Sequence, residues 1–171
     1  MRVLLALSIV LALGNLTSCA GYRFGGNKPA HLEAIRSIDV PLAQSHVIFP
    51  RVEALTTNSV IDALLRDGTY RLSTSQKSDA TLILTLDDLA YRQARSTSED
   101  VLRSEELQLE AIISYKLFDN KKPGVVLEQG KGRGRTRFFI DDNLQTARAN
   151  ALHDALQRAA QAITNRLADG I

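Results

Sequence analysis

The cleanest alternation of apolar and polar residues lies at 105–118. There Leu107, Leu109, Ala111, Ile113, Tyr115 and Leu117 fall on one face and predict a half-buried strand. Residues 80–93 alternate the same way through Leu82, Leu84 and Leu86. Beyond Asp87-Asp88 the apolar phase moves to Leu89 and Tyr91, so a strand interrupted by a β-bulge is expected. The turn Asn120-Lys121-Lys122-Pro123-Gly124 leads into a last strand at 125–140. Earlier strands are expected at 35–42, around Ile38 and Val40, and briefly at 69–73. A polar loop fills 95–104.

Helical periodicity appears twice. Residues 51–67 place Val60, Ile61, Leu64 and Leu65 on one arc, off which Val52 and Leu55 fall, with Gly68 as the stop. Residues 144–169 put Leu152, Ala155, Leu156, Ala159, Ile163 and Leu167 on one side and Gln157, Gln161 and Asn165 opposite. Asp142 followed by Gln145 is a capping-box signature for the start of that helix. The order β-α-β-β-β-α, with helices apolar on one side only, predicts an α+β fold: a mixed β-sheet with two helices packed on one face. The other face stays open.

Register decides what the open face carries. If Phe118 opposes Val125, then Leu109, Ala111 and Ile113 face Gly134, Gly132 and Gly130, placing three glycines beneath the helices. The run Gly130-Lys131-Gly132-Arg133-Gly134-Arg135 lacks the G-x-x-x-x-G-K-[ST] pattern of a phosphate loop. Its glycines read instead as places where a helix backbone comes close. Lys131, Arg133, Arg135 and Arg137 then point to the open face as one cationic row. The same register sets Glu110 against Arg133 and Glu106 against Arg137, and leaves Arg135 opposite Gln108 and Lys131 opposite Ile112. Two cations without an acidic partner make the row a candidate for binding an anionic ligand.

The first residues are a processing signal rather than fold. Arg2 opens an apolar run at 3–13, and Leu16-Thr17-Ser18 precede Cys19, the only cysteine in the chain. The run is shorter than the ~18 residues a membrane-crossing helix needs. The junction resembles a bacterial lipobox, which implies a signal peptide at 1–18 and covalent diacylglycerol and N-acyl chains on Cys19. A lipidated tether at 19–34 and a single domain at 35–171 follow. In the lipoproteins this junction resembles, Asp after the acylated cysteine favours the inner membrane. Ala20 stands there instead, so the periplasmic face of the outer membrane is expected.

Composition narrows the classes further. The formal net charge is +2, and +1 once Arg2 leaves with the leader, so overall charge selects no partner. Aromatics make up 5% of the chain and tryptophan is absent, which argues against a base-stacking nucleic-acid binder. A lone cysteine excludes a disulfide scaffold. His31, His46 and His153 each lack a second ligand at helical or hairpin spacing, so no metal site is expected. Asp87 and Asp88, adjacent in a strand, are expected on opposite faces and not as a carboxylate dyad. No G-x-S-x-G elbow occurs, and no catalytic residue is assigned.

Several segments, in order, are similar to the LptE family of lipopolysaccharide-assembly lipoproteins. They are Cys19-Ala20-Gly21-Tyr22-Arg23-Phe24, Ile38-Asp39-Val40-Pro41, Pro50-Arg51-Val52-Glu53, Asp67-Gly68-Thr69-Tyr70, Ser78-Asp79-Ala80 and the strand from Arg103 to Tyr115. The resemblance implies a mixed sheet with two helices and a non-enzymatic role. It also implies a place inside the LptD β-barrel in the outer membrane, help with assembly of that barrel, and lipopolysaccharide binding during delivery to the cell surface. Here Ala20 separates Cys19 from the Gly-Tyr pair. A different class remains open, a periplasmic scaffold or transport-accessory lipoprotein that binds another protein through its helices.

Overall fold

The computed structural model describes residues 28–74, 77–93, 106–139 and 143–170. The leader, Cys19, the 95–104 loop and Asp142 lie outside the described residues. A six-stranded mixed sheet is built from β1 (Ser37–Asp39), β2 (Gln44–Ser45), β3 (Arg71–Leu72), β4 (Ala80–Gln93), β5 (Glu106–Asp119) and β6 (Val126–Phe139). The strand order is β3-β1-β4-β5-β6, with β2 also against β4. The short strands pair in parallel and the long ones antiparallel. Two helices, α1 (Val52–Asp67) and α2 (Leu144–Asp169), cover one face.

The core lies between that face and the helices. Leu82, Leu84, Leu86, Leu109, Ala111, Ile113 and Leu117 point into it from the sheet, and the expected arc of α2, from Leu152 to Leu167, is buried throughout. The strand at 35–42 contracts to three residues, yet Ile35 and Ile38 both belong to the core. The chain is already packed before it: Leu32 is fully buried, and His31 Nε2 lies 2.7 Å from Glu128 Oε2 of β6. Asp79 ties the entrance of β4 to β1 and to the β5–β6 turn, accepting from Lys121 Nζ, the Arg36 and Ser37 N–H groups, and the Ser37 hydroxyl.

The buried stripe of α1 differs from the expected one. It runs through Val52, Thr56, Ser59, Val60, Ala63 and Leu64, whereas Leu65 is 59% exposed. Hydroxyl-bearing residues conceal the stripe from a reading of apolar positions. The Thr57 and Ser59 hydroxyls donate to Glu53 and Leu55 carbonyls one turn back, which lets them enter the contact layer. Gly68 ends the helix in the left-handed region at φ 76°, as its place in the sequence predicts. At α2 the first residue is Leu144, as expected, but the cap is Asn143, one residue after the Asp142 that the capping-box signature would place there.

The β4–β5 register shifts between Leu86 and Asp88, so the expected bulge is present with Asp87 as its extra residue. Its consequence for the aspartates is a correction. Asp88 pairs with Ile112 and Asp87 bonds Ser114, which places both on the open face instead of on opposite faces.

A second correction concerns β5 and β6. Phe118 pairs with Val126, not Val125, and Leu127 bulges out, so Leu117 meets Glu128. Two slips of one residue preserve which face each side chain takes but move every cross-strand partner beyond the bulge by two. Ala111 and Ile113 do face Gly134 and Gly132, and Tyr115 faces Gly130. A methyl group on Gly132 or Gly134 would collide with the α2 backbone at Ala159 or Ala155, whereas one on Gly130 would meet the Tyr115 ring. Two glycines, not three, therefore seat a helix.

Candidate functional site

The open face carries the row as expected: Lys131, Arg133, Arg135 and Arg137 alternate with the glycines and are all exposed. Apart from the Arg137–Glu106 pair, which persists, their partners differ from the expected ones. Arg135 Nε donates to Glu110 Oε1 at 2.8 Å, and Lys131 Nζ donates to Asp87 Oδ2 at 2.8 Å across β5. Arg137 lies 3.8 Å from Glu106, diagonally across the strand pair. Arg133 sits opposite Ile112 and has no ion pair among the described residues. The unpartnered cation is thus Arg133, and not Arg135 or Lys131.

These pairs differ in what they require. Glu110 is only 5% exposed, and removing Arg135 would leave this buried side chain without its ion-pair partner. At Asp87 burial opposes ionisation, but hydrogen bonds from Lys131 and Ser114 outweigh it and hold the carboxyl below the usual carboxylate range. The cations keep unused donors, because Arg135 spends one nitrogen on Glu110 and its side chain is 59% exposed.

Beside the row the open face is apolar in places. Ile83, Ile112 and Phe118 are half-buried there, and Val126 is 40% exposed. Ile83, Thr85, Phe118, Gln129 and Lys131 line an open depression of about 780 Å³ at the end of the face nearer the β5–β6 turn. At the other end a smaller depression is lined by Gln108, Arg135, Thr136, Arg137 and Arg158. Arg158 comes from α2 and was not expected here. Its position depends on how the helix sits on β6, for which only the glycines gave a signal.

A family model described as LptE, lipopolysaccharide-assembly, matches residues 35–167. The chain belongs to the LptE family. It is accordingly a lipoprotein of the lipopolysaccharide-assembly type. The LptE fold seen here is shared by solved structures of low sequence identity. One, from Caulobacter crescentus and described as a lipoprotein, is 18% identical with a TM-score of 0.50, over 76% of this chain and 86% of that one. The minor lipoprotein of Acinetobacter baumannii is 11% identical with a TM-score of 0.51, over 77% and 91%. A neuraminyllactose-binding hemagglutinin homolog from Helicobacter pylori is 14% identical with a TM-score of 0.53, over 87% and 93%. At these identities the likeness is one of fold alone. No curated protein matches by sequence.

Proposed function

We propose that this chain is the lipid-anchored subunit that sits inside the LptD β-barrel of the outer membrane, assists assembly of that barrel and binds lipopolysaccharide on its way to the cell surface. Covalent diacylglycerol and N-acyl chains on Cys19 hold it to the periplasmic face of that membrane, and no catalysis is asked of it. The observation that carries the reading is the open face, where a row of four exposed cations runs along β6 beside half-buried Ile83, Ile112 and Phe118. Lipid A is an amphiphile with phosphates. Arginine offers phosphate a planar pair of donors and lysine a point charge, while the apolar neighbours suit acyl or glycan carbon. A polar open sheet also suits the water-lined interior of a large barrel.

Arg133 is the clean probe, since its reversal strands no acid among the described residues. Lipopolysaccharide capture by the full chain in mild detergent should fall severalfold in Arg133→Glu, and wild-type capture should fall as salt rises, because exposed charges are screened beyond about 8 Å at physiological ionic strength. Capture unchanged in Arg133→Glu, with unchanged circular dichroism, would remove the row from lipid binding. Co-purification tests the barrel: a large outer-membrane β-barrel should accompany the chain, and its absence would favour the scaffold reading.

A further inference from the structure

We infer that the outer edge of β6 is a strand-addition site for an extended partner segment that carries acidic side chains at every second position. The inference is independent of lipid binding, since it rests on the backbone edge. β6 is fourteen residues long and pairs with β5 alone, so one whole side of its backbone has no strand partner among the described residues. The opposite end of the sheet is closed by strands of only two or three residues. A long free edge is the part of a sheet most able to accept another strand.

The side chains specify which strand fits. On the open face, an added strand would set alternate residues beside Lys131, Arg133, Arg135 and Arg137, within about 5.5 Å between β-carbons. Arg133 has no acidic partner among the described residues, and Arg135, Arg137 and Arg158 line one depression whose other walls are Gln108 and Thr136. Among the described residues no acid lines it, and Arg135, Arg137 and Arg158 each face it from an exposed pair with spare donors, so carboxylates on the incoming strand can reach them. On the helix side, a groove between the C-terminal half of β6 and the first turns of α2 is lined by Thr136, Phe138, Phe139, Ala147, Asn150 and Ala151, a mainly apolar lining that suits small or β-branched residues such as valine and threonine. Among the described residues Arg158 is held by an exposed i,i+4 pair with Asp154, so it can swing toward an arriving carboxylate.

The same charges argue against a second copy of this chain. β6 paired with β6 would set arginine against arginine along the open face, and like charges directly opposite destabilise a strand pair. An acidic strand turns that repulsion into attraction.

The test uses the full chain in mild detergent and a synthetic peptide that alternates glutamate with threonine and valine. The peptide should bind, and should slow amide exchange at the β6 N–H groups that face away from β5. A proline at its centre should abolish both effects, because proline cannot donate to the ladder. Arg133→Glu should weaken binding about fivefold, as expected when a cross-strand attraction becomes a repulsion. A peptide with lysine for glutamate should not bind. Equal binding of the proline-interrupted peptide would overturn the inference, since the row would then read charge without adding a strand. So would absence of binding, or self-association of the wild-type chain through β6, since the cations would then neither recruit an acidic strand nor exclude a second copy.

Discussion

Replacing Gly134 with alanine tests the seating of α2 on β6, the contact that fixes the geometry of the cation row. A β-carbon there would overlap the Ala155 carbonyl oxygen, and would lie 2.5 Å from Ala159 N and 2.9 Å from Arg158 Cβ. All three atoms belong to, or hang directly from, the helix backbone, so no rotamer change relieves the clash. The helix must rise by about 1 Å, and a gap of that size forfeits roughly a quarter to a half of each dispersion contact beneath it. Ala155, Leu156, Ala159, Ala160 and Ile163, all fully buried, lose most. The cost should reach the upper end of overpacking, about 3 kcal/mol, against which the lower chain entropy of unfolded alanine returns only about 0.4 to 1. For a domain of this size that lowers the melting temperature by about 10 °C. Gly130→Ala is the control, because its methyl meets the Tyr115 ring at 3.0 to 3.2 Å, and a side chain can turn aside. Thermal unfolding followed by circular dichroism compares them. Melting points within about 3 °C of each other would refute the argument that backbone contact, not glycine as such, sets the penalty.

Three further outcomes are expected. Arg135→Ala should destabilise by about 1 to 3 kcal/mol because Glu110 is left buried without its partner, while Arg133→Ala should cost less than about 0.5 in the same urea titration. Lys121 and the Arg36 N–H hold the Asp79 carboxyl well below the usual carboxylate range, so its stabilisation is complete above pH ~4 and is lost as pH falls further. Asp79→Asn should therefore melt lower than wild type at pH 7, and the difference should shrink below pH ~4; a constant difference would remove the ionic contribution. Cys19→Ser should block acylation and leave an unprocessed precursor, and normal processing on a gel with outer-membrane recovery would sink the anchoring proposal.

The long strands and α2 were legible because a period of two or of 3.6 marks a face, and a face is what burial selects. Leu82 to Leu86, Leu107 to Leu117 and the α2 arc all went where the period put them. The stripe of α1 was obscured because Thr56 and Ser59 are polar by type yet buried in place. Face assignment survived the register error for a simple reason. Two slips of one residue restore parity, so the cations stayed on the open face while the residue directly opposite each one changed, and only the Arg137–Glu106 pair survived, as a diagonal one. Pairing depends on where the bulges fall, and Leu127 sits in a hairpin arm with no local signal for one. The Asp87 bulge did announce itself through the phase change after Leu86, but its power to turn both aspartates to one side was not drawn from the sequence. Lys131 lost its apparent freedom for that reason.

Glycine and cation alternate along β6 because one strand answers two demands set by its two faces. On the helix side, Gly132 and Gly134 leave no room for a side chain, so α2 rests on the strand backbone itself. That close seating covers the edge strand from one side with the helix and brings Arg158 to the depression that Arg135 and Arg137 share. On the open side the cations would meet like charges if this edge paired with a copy of itself. The two demands are coupled: lifting α2 off the glycines would withdraw Arg158 from the depression, so a change such as Gly132→Val should weaken anion binding as well as stability, although Gly132 itself touches no ligand. A change confined to the open face, such as Arg133→Glu, should alter binding alone. Measured together, these two substitutions separate the part of the row's chemistry that resides in its charges from the part that depends on the helix beneath it.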